Sequence, residues 1–174
     1  WRGPGVPGTV RGLAMAHGRF GKLPWADLVR PAAEMAEHGF VLSGALAEEI
    51  NAQLASTFAP FPTSVAAYGK ADGAKWVAGD TLKLPQHARA LYAIAESGPD
   101  AFYTGWIADS IAVQMKAHRG LITKADLAAY QPVERPPVRG TFLGHEIIGM
   151  GPPSSGGAVM VLVLRQLEAL GVQG

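Results

Sequence analysis

Phe142-Leu143-Gly144-His145-Glu146-Ile147-Ile148, Gly151-Pro152-Pro153-Ser154-Ser155-Gly156-Gly157 and Ala158-Val159-Met160-Val161-Leu162-Val163-Leu164 follow one another near the end of the chain. Aromatic and β-branched residues in the first favour a pleated strand, and the unbroken apolar run of the third predicts the opening of a buried helix. The middle stretch is therefore a strand-to-helix turn. Two prolines stop further strand pairing, Ser154 and Ser155 are candidates to cap orphan helix N–H groups, and Gly156 and Gly157 let backbone approach a neighbour or ligand closely. Such a turn fits either an anion site or an ordinary capped helix start.

Upstream, the pattern is mainly helical. Val10, Leu13 and Ala14 after Val6-Pro7-Gly8-Thr9 predict a brief helix that glycines at 18 and 21 close. Pro24 and Pro31 suit first-turn positions, which predicts one short helix over Trp25 to Val29 and a second over Pro31 to His38, ended by Gly39 at positive φ. Ser43 predicts a cap for a helix with Leu46, Ile50 and Leu54 on one stripe. From Pro60 to Asp80 the periodicity dissolves, so an irregular segment and a weak domain boundary are expected there.

Leu84, Ala88, Leu91 and Ala95 mark the next helix, entered through Pro85 and left at Gly98. Thr104 is the expected cap of a helix burying Ile107, Ile111 and Met115, and Thr123 with Asp126 has capping-box spacing. Pro132, Pro136 and Pro137 then forbid helix, and a turn at Leu143-Gly144 predicts a hairpin returning as His145 to Gly149. The expected class is α+β: mostly helical to about residue 129, then a β-hairpin and a C-terminal helix.

Composition narrows the function classes. With 174 residues, 48% hydrophobic and 17% charged, the chain is globular, and a formal net charge of +1 with scattered Lys and Arg argues against nucleic acid. Without cysteine there is neither a disulfide framework nor thiol catalysis, and no apolar run reaches the length of a membrane span. His17, His38, His87, His118 and His145 lack partners at metal-ligand spacing. Ser154 and Ser155 sit outside a Gly-x-Ser-x-Gly elbow, and no Lys follows Gly156-Gly157 as in a phosphate loop. Asp109 with Asp126, and Glu48 with Glu49, read as exposed helix-face charges. The start at Trp1 and the apolar terminal helix lead us to expect a fragment or a cleavage product. The residues alone do not specify a reaction.

A resemblance goes further. Val6-Pro7-Gly8-Thr9, Trp25-x-x-Leu28-Val29-x-Pro31-Ala32, Ala36-x-x-Gly39-Phe40, Phe102-Tyr103-x-Gly105, Asp126-Leu127-x-x-Tyr130 and Pro152-Pro153-Ser154-Ser155-Gly156-Gly157, in this order, resemble the gamma-glutamyltransferase family. The likeness is to the later half of its large subunit and covers nearly the whole chain, as one partial domain over residues 1–174.

That resemblance implies a segment of an N-terminal-nucleophile hydrolase αββα sandwich from a self-cutting precursor. Its exposed threonine attacks gamma-glutamyl amides such as glutathione, with its own amine as base, and passes the acyl group to water or an amine. It also implies partners in the rest of the large subunit and in the small subunit, no metal or organic cofactor, and a periplasmic or secreted location. Thr9, Thr57, Thr63, Thr81, Thr104, Thr123 and Thr141 are internal and none precedes Thr-His, so the nucleophile is expected beyond residue 174 and no catalytic residue within the chain. The donor-carboxylate arginine is expected upstream of Trp1. The role expected of Pro152, Pro153, Ser154, Ser155, Gly156 and Gly157 is to back the substrate cleft. An acylase acting on glutaryl or cephalosporin amides, and a non-catalytic scaffold, are the alternatives.

Overall fold

Two small ribbons and nine helices make up the computed structural model, which describes residues 1–172. The described residues fall into two compact units, Trp1–Pro132 and a second that begins at Val133. The division lies at the proline-rich strand entry and not in the 60–80 segment.

In the first unit, α1 (Thr9–Phe20) follows Gly8, which offers no side-chain cap, and the Gly21 N–H closes it on His17 O. Helix α2 (Trp25–His38) is continuous through Pro31, which corrects the expected break into two helices. Pro31 denies a hydrogen bond to the carbonyl one turn back, but packing along α5 (Pro85–Ser97) carries the helix past it. Ala33, Ala36, Ala88 and Ala95 are buried and their small side chains suit a close approach of the two helices. Trp25 Nε1 donates to Ile94 O at 2.9 Å, Tyr92 Oη to Glu37 at 2.8 Å, and the Leu84 N–H to Ala36 O at 2.7 Å.

Gly39 has φ +93°, and a Cβ there would stand 2.5 Å from Thr81 Cγ2. This frees the chain to enter β1 (Phe40–Val41), antiparallel to β2 (Thr81–Leu82) with Phe40 opposite Leu82. Ser43 Oγ accepts from the Leu46 N–H at 3.2 Å and starts α3 (Gly44–Ala55), as expected. The buried stripe, however, is Ala47 and Ile50 with half-buried Leu54, and Leu46 is exposed. Leu42, Trp76 and Leu82 complete this core.

The 60–80 stretch is less irregular than expected, because Pro62 occupies a first-turn position and α4 (Pro62–Tyr68) forms inside it. Beyond α4, Trp76 anchors the loop. Its backbone N–H donates to Asn51 Oδ1 at 2.9 Å, its carbonyl accepts from Asn51 Nδ2 at 2.8 Å, and its indole donates to Tyr68 O at 2.7 Å.

Helices α6 (Asp100–Thr104), α7 (Trp106–Ala117) and α8 (Lys124–Ala129) build the second core, around Tyr103, Ala108, Met115, Ile122 and Leu127. Thr104 does not cap α7. It closes α6, its hydroxyl donating to Asp100 O at 3.0 Å, and Gly105 takes the N-cap position. The capping box of α8 is complete: Thr123 Oγ1 accepts from Asp126 N, and Asp126 Oδ2 accepts from Thr123 N at 2.8 Å.

In the second unit, β3 (Val138–Phe142) and β4 (His145–Gly149) form an antiparallel hairpin with Phe142 opposite His145 and Val138 opposite Gly149. Its loop is Leu143-Gly144, with φ of 47° and 80°, the positive angles a two-residue turn requires. Helix α9 (Gly156–Ala169) packs on the hairpin. It is not the buried helix that its apolar run predicts. Val161, Leu164 and Leu167 are half-buried, whereas Val159, Met160, Leu162 and Val163 are exposed. An apolar run on all faces covers only the stripe that meets the sheet. Among the described residues each sheet has two strands, and no helix is long and apolar enough to cross a membrane.

Candidate functional site

The turn between β4 and α9 takes its shape from its glycines. Gly149 and Gly157 meet so closely that a Cβ built on Gly157 would lie 2.3 Å from Met150 O, and one on Gly149 would lie 2.6 Å from Gly157 Cα. Farther along the same contact, a Cβ on Gly140 would strike Val161 Cγ1 at 2.6 Å. At Gly149 and Gly157 the strand and helix therefore meet backbone to backbone, whereas at Gly140 the Val161 side chain fills the gap.

Between these ends, Pro152, Pro153, Ser155 and Gly156 are exposed, Ser154 is half-buried, and Gly151 and Gly157 are buried. The Pro152-Pro153 bond is cis. The Ser154 N–H donates to Gly151 O at 3.2 Å, which closes the turn on itself. Serine capping is weaker than expected. Ser155 holds the N-cap position with helical φ and ψ and makes no side-chain cap bond, while Ser154 Oγ accepts from the Gly156 N–H only at 3.4 Å. Neither hydroxyl has a histidine or carboxylate hydrogen-bonded to it among the described residues, so no activated serine is assembled there. Glu168 ties the far end of α9 to the hairpin, accepting from the Leu143 N–H at 3.0 Å.

The first unit holds a feature that the sequence did not announce. A groove of about 1250 Å³ runs between α4, the 69–72 loop, β2 and α7, with Tyr68, Trp76, Trp106 and Ile111 on its walls. Lys70 Nζ lies 2.6 Å from Asp80 Oδ2 and 5.1 Å from the Trp76 ring centroid. Hydrogen bonds from Lys70 and from the Val77 N–H hold the Asp80 carboxyl below the usual carboxylate range, so it is an ion-pair partner and not a proton acceptor near neutrality. The isolated aromatics Tyr68 and Trp76 in a glycine-rich stretch were the available signal. The groove itself is built by elements distant in sequence.

A second polar centre surrounds Tyr103. Its hydroxyl donates to Pro7 O at 2.8 Å and accepts from the Arg11 N–H at 3.1 Å, and the Arg11 guanidinium lies 4.6 Å from its ring centroid. Arg11 also pairs with Asp100 at 2.7 Å. Burial pushes the Tyr103 phenol above its ordinary value. This is a structural joint, because the hydroxyl supplies the cap that Gly8 lacks.

The five histidines do not assemble. His17 Nε2 bonds Leu23 O at 2.8 Å, and His118 stacks on Trp1 with centroids 4.5 Å apart. Among the described residues no group of three His, Asp or Glu is placed to hold a metal ion. Asp109 and Asp126 remain separate exposed charges, with Asp109 paired to Lys124.

Known proteins supply what this geometry does not. The gamma-glutamyltranspeptidase family model matches residues 1–174. The glutathione hydrolase proenzyme of Escherichia coli (strain K12) is 42% identical over 164 residues, covering 94% of this chain and 28% of the relative. The acylase ACY 1 proenzyme of Pseudomonas sp. (strain SE83) is 40% identical over 163 residues, 94% of this chain and 29% of the relative. Among solved structures, Helicobacter pylori gamma-glutamyltranspeptidase superposes with a TM-score of 0.88 at 34% identity, over 97% of this chain and 48% of that one. The chain thus spans less than a third of the curated relatives it matches. A family match over residues 1–174, joined by a structural superposition over 97% of the chain, places this chain in the gamma-glutamyltranspeptidase family.

Proposed function

We propose that this chain is the later half of the large subunit of a gamma-glutamyltransferase or glutathione hydrolase, as one partial domain of an αββα sandwich. Its partners are the remainder of that subunit and a small subunit of the same precursor. The donor is a gamma-glutamyl amide such as glutathione, the nucleophile is a threonine outside residues 1–174, and the chain alone is inactive. The location that goes with this reading is periplasmic or secreted. The observation that carries it is the family match over residues 1–174, set beside a turn whose serines have no activating partner among the described residues.

In this reading the chain's own contribution is mechanical. A threonine nucleophile with its own amine as base needs no side chain from this chain for proton transfer. It needs walls that hold the donor in line and keep water out. The turn Pro152, Pro153, Ser154, Ser155, Gly156 and Gly157 is one such wall, set behind the donor site and held by the Gly149–Gly157 contact. Replacing Ser154 and Ser155 by alanine in the complete enzyme is expected to raise the donor KM, and an unchanged KM with unchanged folding refutes the supporting role.

An acylase reading is favoured by one specific observation, the 40% identity to an acylase proenzyme. The same scaffold with another acyl pocket accepts a glutaryl group. Donor profiling of the complete protein separates the two: faster hydrolysis of gamma-glutamyl anilides supports the first reading, and hydrolysis of glutaryl but not gamma-glutamyl anilides supports the acylase.

A further inference from the structure

The chain leaves β4 at Gly149 and runs into the first turn of α9 at Gly157, so the two glycines are the posts between which the proline-serine turn hangs. What bars a side chain at each post is backbone. A Cβ on Gly157 would meet Met150 O at 2.3 Å and Gly149 C at 2.8 Å, and one on Gly149 would meet Gly157 Cα at 2.6 Å. Backbone cannot rotate aside as a side chain does, so any residue larger than glycine separates the posts and carries the turn with them. Gly140 differs. Its obstacle is the Val161 side chain, with Cγ1 at 2.6 Å and Cγ2 at 3.0 Å, which a smaller residue at 161 would remove. A third, milder restraint lies inside the turn, where a Cβ on Gly151 would stand 3.0 Å from Pro136 O.

We propose that Gly149 and Gly157 are positioning residues for donor binding: their backbone-to-backbone contact fixes where the turn stands, and Gly151 against Pro136 fixes its depth. This rests on the placement of the turn behind the donor site given above. A device of this kind acts on how well the donor is held and not on the proton transfers, so its signature is a rise in KM with kcat preserved. The displacement falls at the open end of the hairpin, where Val138 stands opposite Gly149, and leaves the pairs from Arg139 opposite Ile148 to Phe142 opposite His145 in register.

The test is made on the complete enzyme with five variants, reading KM, kcat and melting temperature. Gly157→Ala is expected to raise the gamma-glutamyl donor KM about tenfold with kcat changed by less than about twofold, since a displaced wall loses contacts that hold the donor equally in the ground state and the transition state. Gly151→Ala is expected to raise KM by a smaller factor in the same sense. Gly140→Ala is expected to lower the melting temperature and leave KM unchanged, and adding Val161→Ala restores the melting temperature. Ser155→Trp enlarges the exposed surface of the turn and asks only whether the turn adjoins the donor.

If Ser155→Trp leaves KM unchanged, the placement of the turn is wrong and the proposal falls with it. If Ser155→Trp raises KM while Gly157→Ala and Gly151→Ala do not, the placement stands and the glycine contact is not a positioning device. Should Gly157→Ala fail to fold, Gly151→Ala decides: a folded protein with raised KM upholds the proposal, and one with unchanged KM overturns it.

Discussion

Replacing Tyr103 by phenylalanine removes one oxygen atom from the second core and leaves the ring in place. That ring is 1% exposed, stacks on Tyr130 with centroids 6.0 Å apart and carries the Arg11 guanidinium at 4.6 Å, so packing is conserved in the variant. The oxygen performs two tasks. It donates to Pro7 O and it accepts from the Arg11 N–H, an orphan donor in the first turn of α1 that no side chain at Gly8 can reach. Losing a helix cap costs about 1 kcal/mol, and the bond lost at the carbonyl of Pro7, an exposed residue whose oxygen water can reach, adds up to about 0.5 kcal/mol, so Tyr103→Phe is expected to destabilise by about 1 to 1.5 kcal/mol. For a domain of this size that is a fall in melting temperature of roughly 2 to 6 °C. Urea unfolding followed by tryptophan fluorescence, with thermal melts alongside, reads both quantities. A loss under about 0.5 kcal/mol would refute the tertiary cap.

The same residue has a pH signature. Burial raises the Tyr103 pKa in the folded protein above the ordinary 10.0. Above that ordinary value the unfolded chain gives up a proton that the folded chain keeps, so stability falls as pH rises through the window between the two values. Tyr92, raised chiefly by its hydrogen bond to Glu37, contributes to the same limb. The slope above pH 10 is therefore expected to be shallower in Tyr103→Phe, but not flat.

Four further substitutions probe the scaffold. Ser43→Ala removes the cap of α3 and is expected to cost about 1 kcal/mol in urea unfolding, with no cost disproving the Ser43 Oγ to Leu46 N bond. Gly39→Ala combines a φ of +93° with a Cβ 3.0 Å from Leu82 O, and is expected to destabilise by more than about 1 kcal/mol, whereas a neutral result would mean that the β1–β2 ribbon moves freely. Asp126 and Asp80 have lowered pKa values, the first through its hydrogen bonds from Thr123 and the second through Lys70 and the Val77 N–H. Their contributions are present above the ordinary carboxylate value of 3.8 and are lost as pH falls through the lowered ones, so Asp126→Asn and Asp80→Asn should each flatten the acid limb of a stability profile.

Much of the local structure was legible because it is local chemistry. Ser43 capping α3, Thr123 with Asp126 boxing α8 and Leu143-Gly144 turning the hairpin each depend on residues within four positions. The misreadings share the opposite cause. Pro31 stays inside one helix because α2 lies along α5, a fact set by residues more than fifty positions away. Thr104 ends α6 instead of capping α7 because its hydroxyl has Asp100 O within reach. The 60–80 stretch hid α4 because its glycines come after Tyr68 and its start is marked by Pro62 alone. The apolar run of α9 gave no sign of which stripe meets the hairpin. Of the candidate site, Gly157 was readable as a close-approach residue, but its partner Gly149 was not, since only the crossing of strand and helix brings them together. The groove beside Trp76 and Trp106 joins residues thirty positions apart, and the isolated aromatics Tyr68 and Trp76 were its one sign in the sequence.

On the proposed function these structural points share a purpose, the holding of surfaces against which an enzyme built from more of the precursor does its chemistry. Trapping the acyl-enzyme tests that most directly. The complete protein is incubated with a slowly deacylating gamma-glutamyl donor, digested, and the adduct located by mass spectrometry. The account predicts a gamma-glutamyl ester on a threonine outside residues 1–174 and unmodified peptides throughout this chain. An ester on Ser154, Ser155 or any threonine of these 174 residues would contradict it.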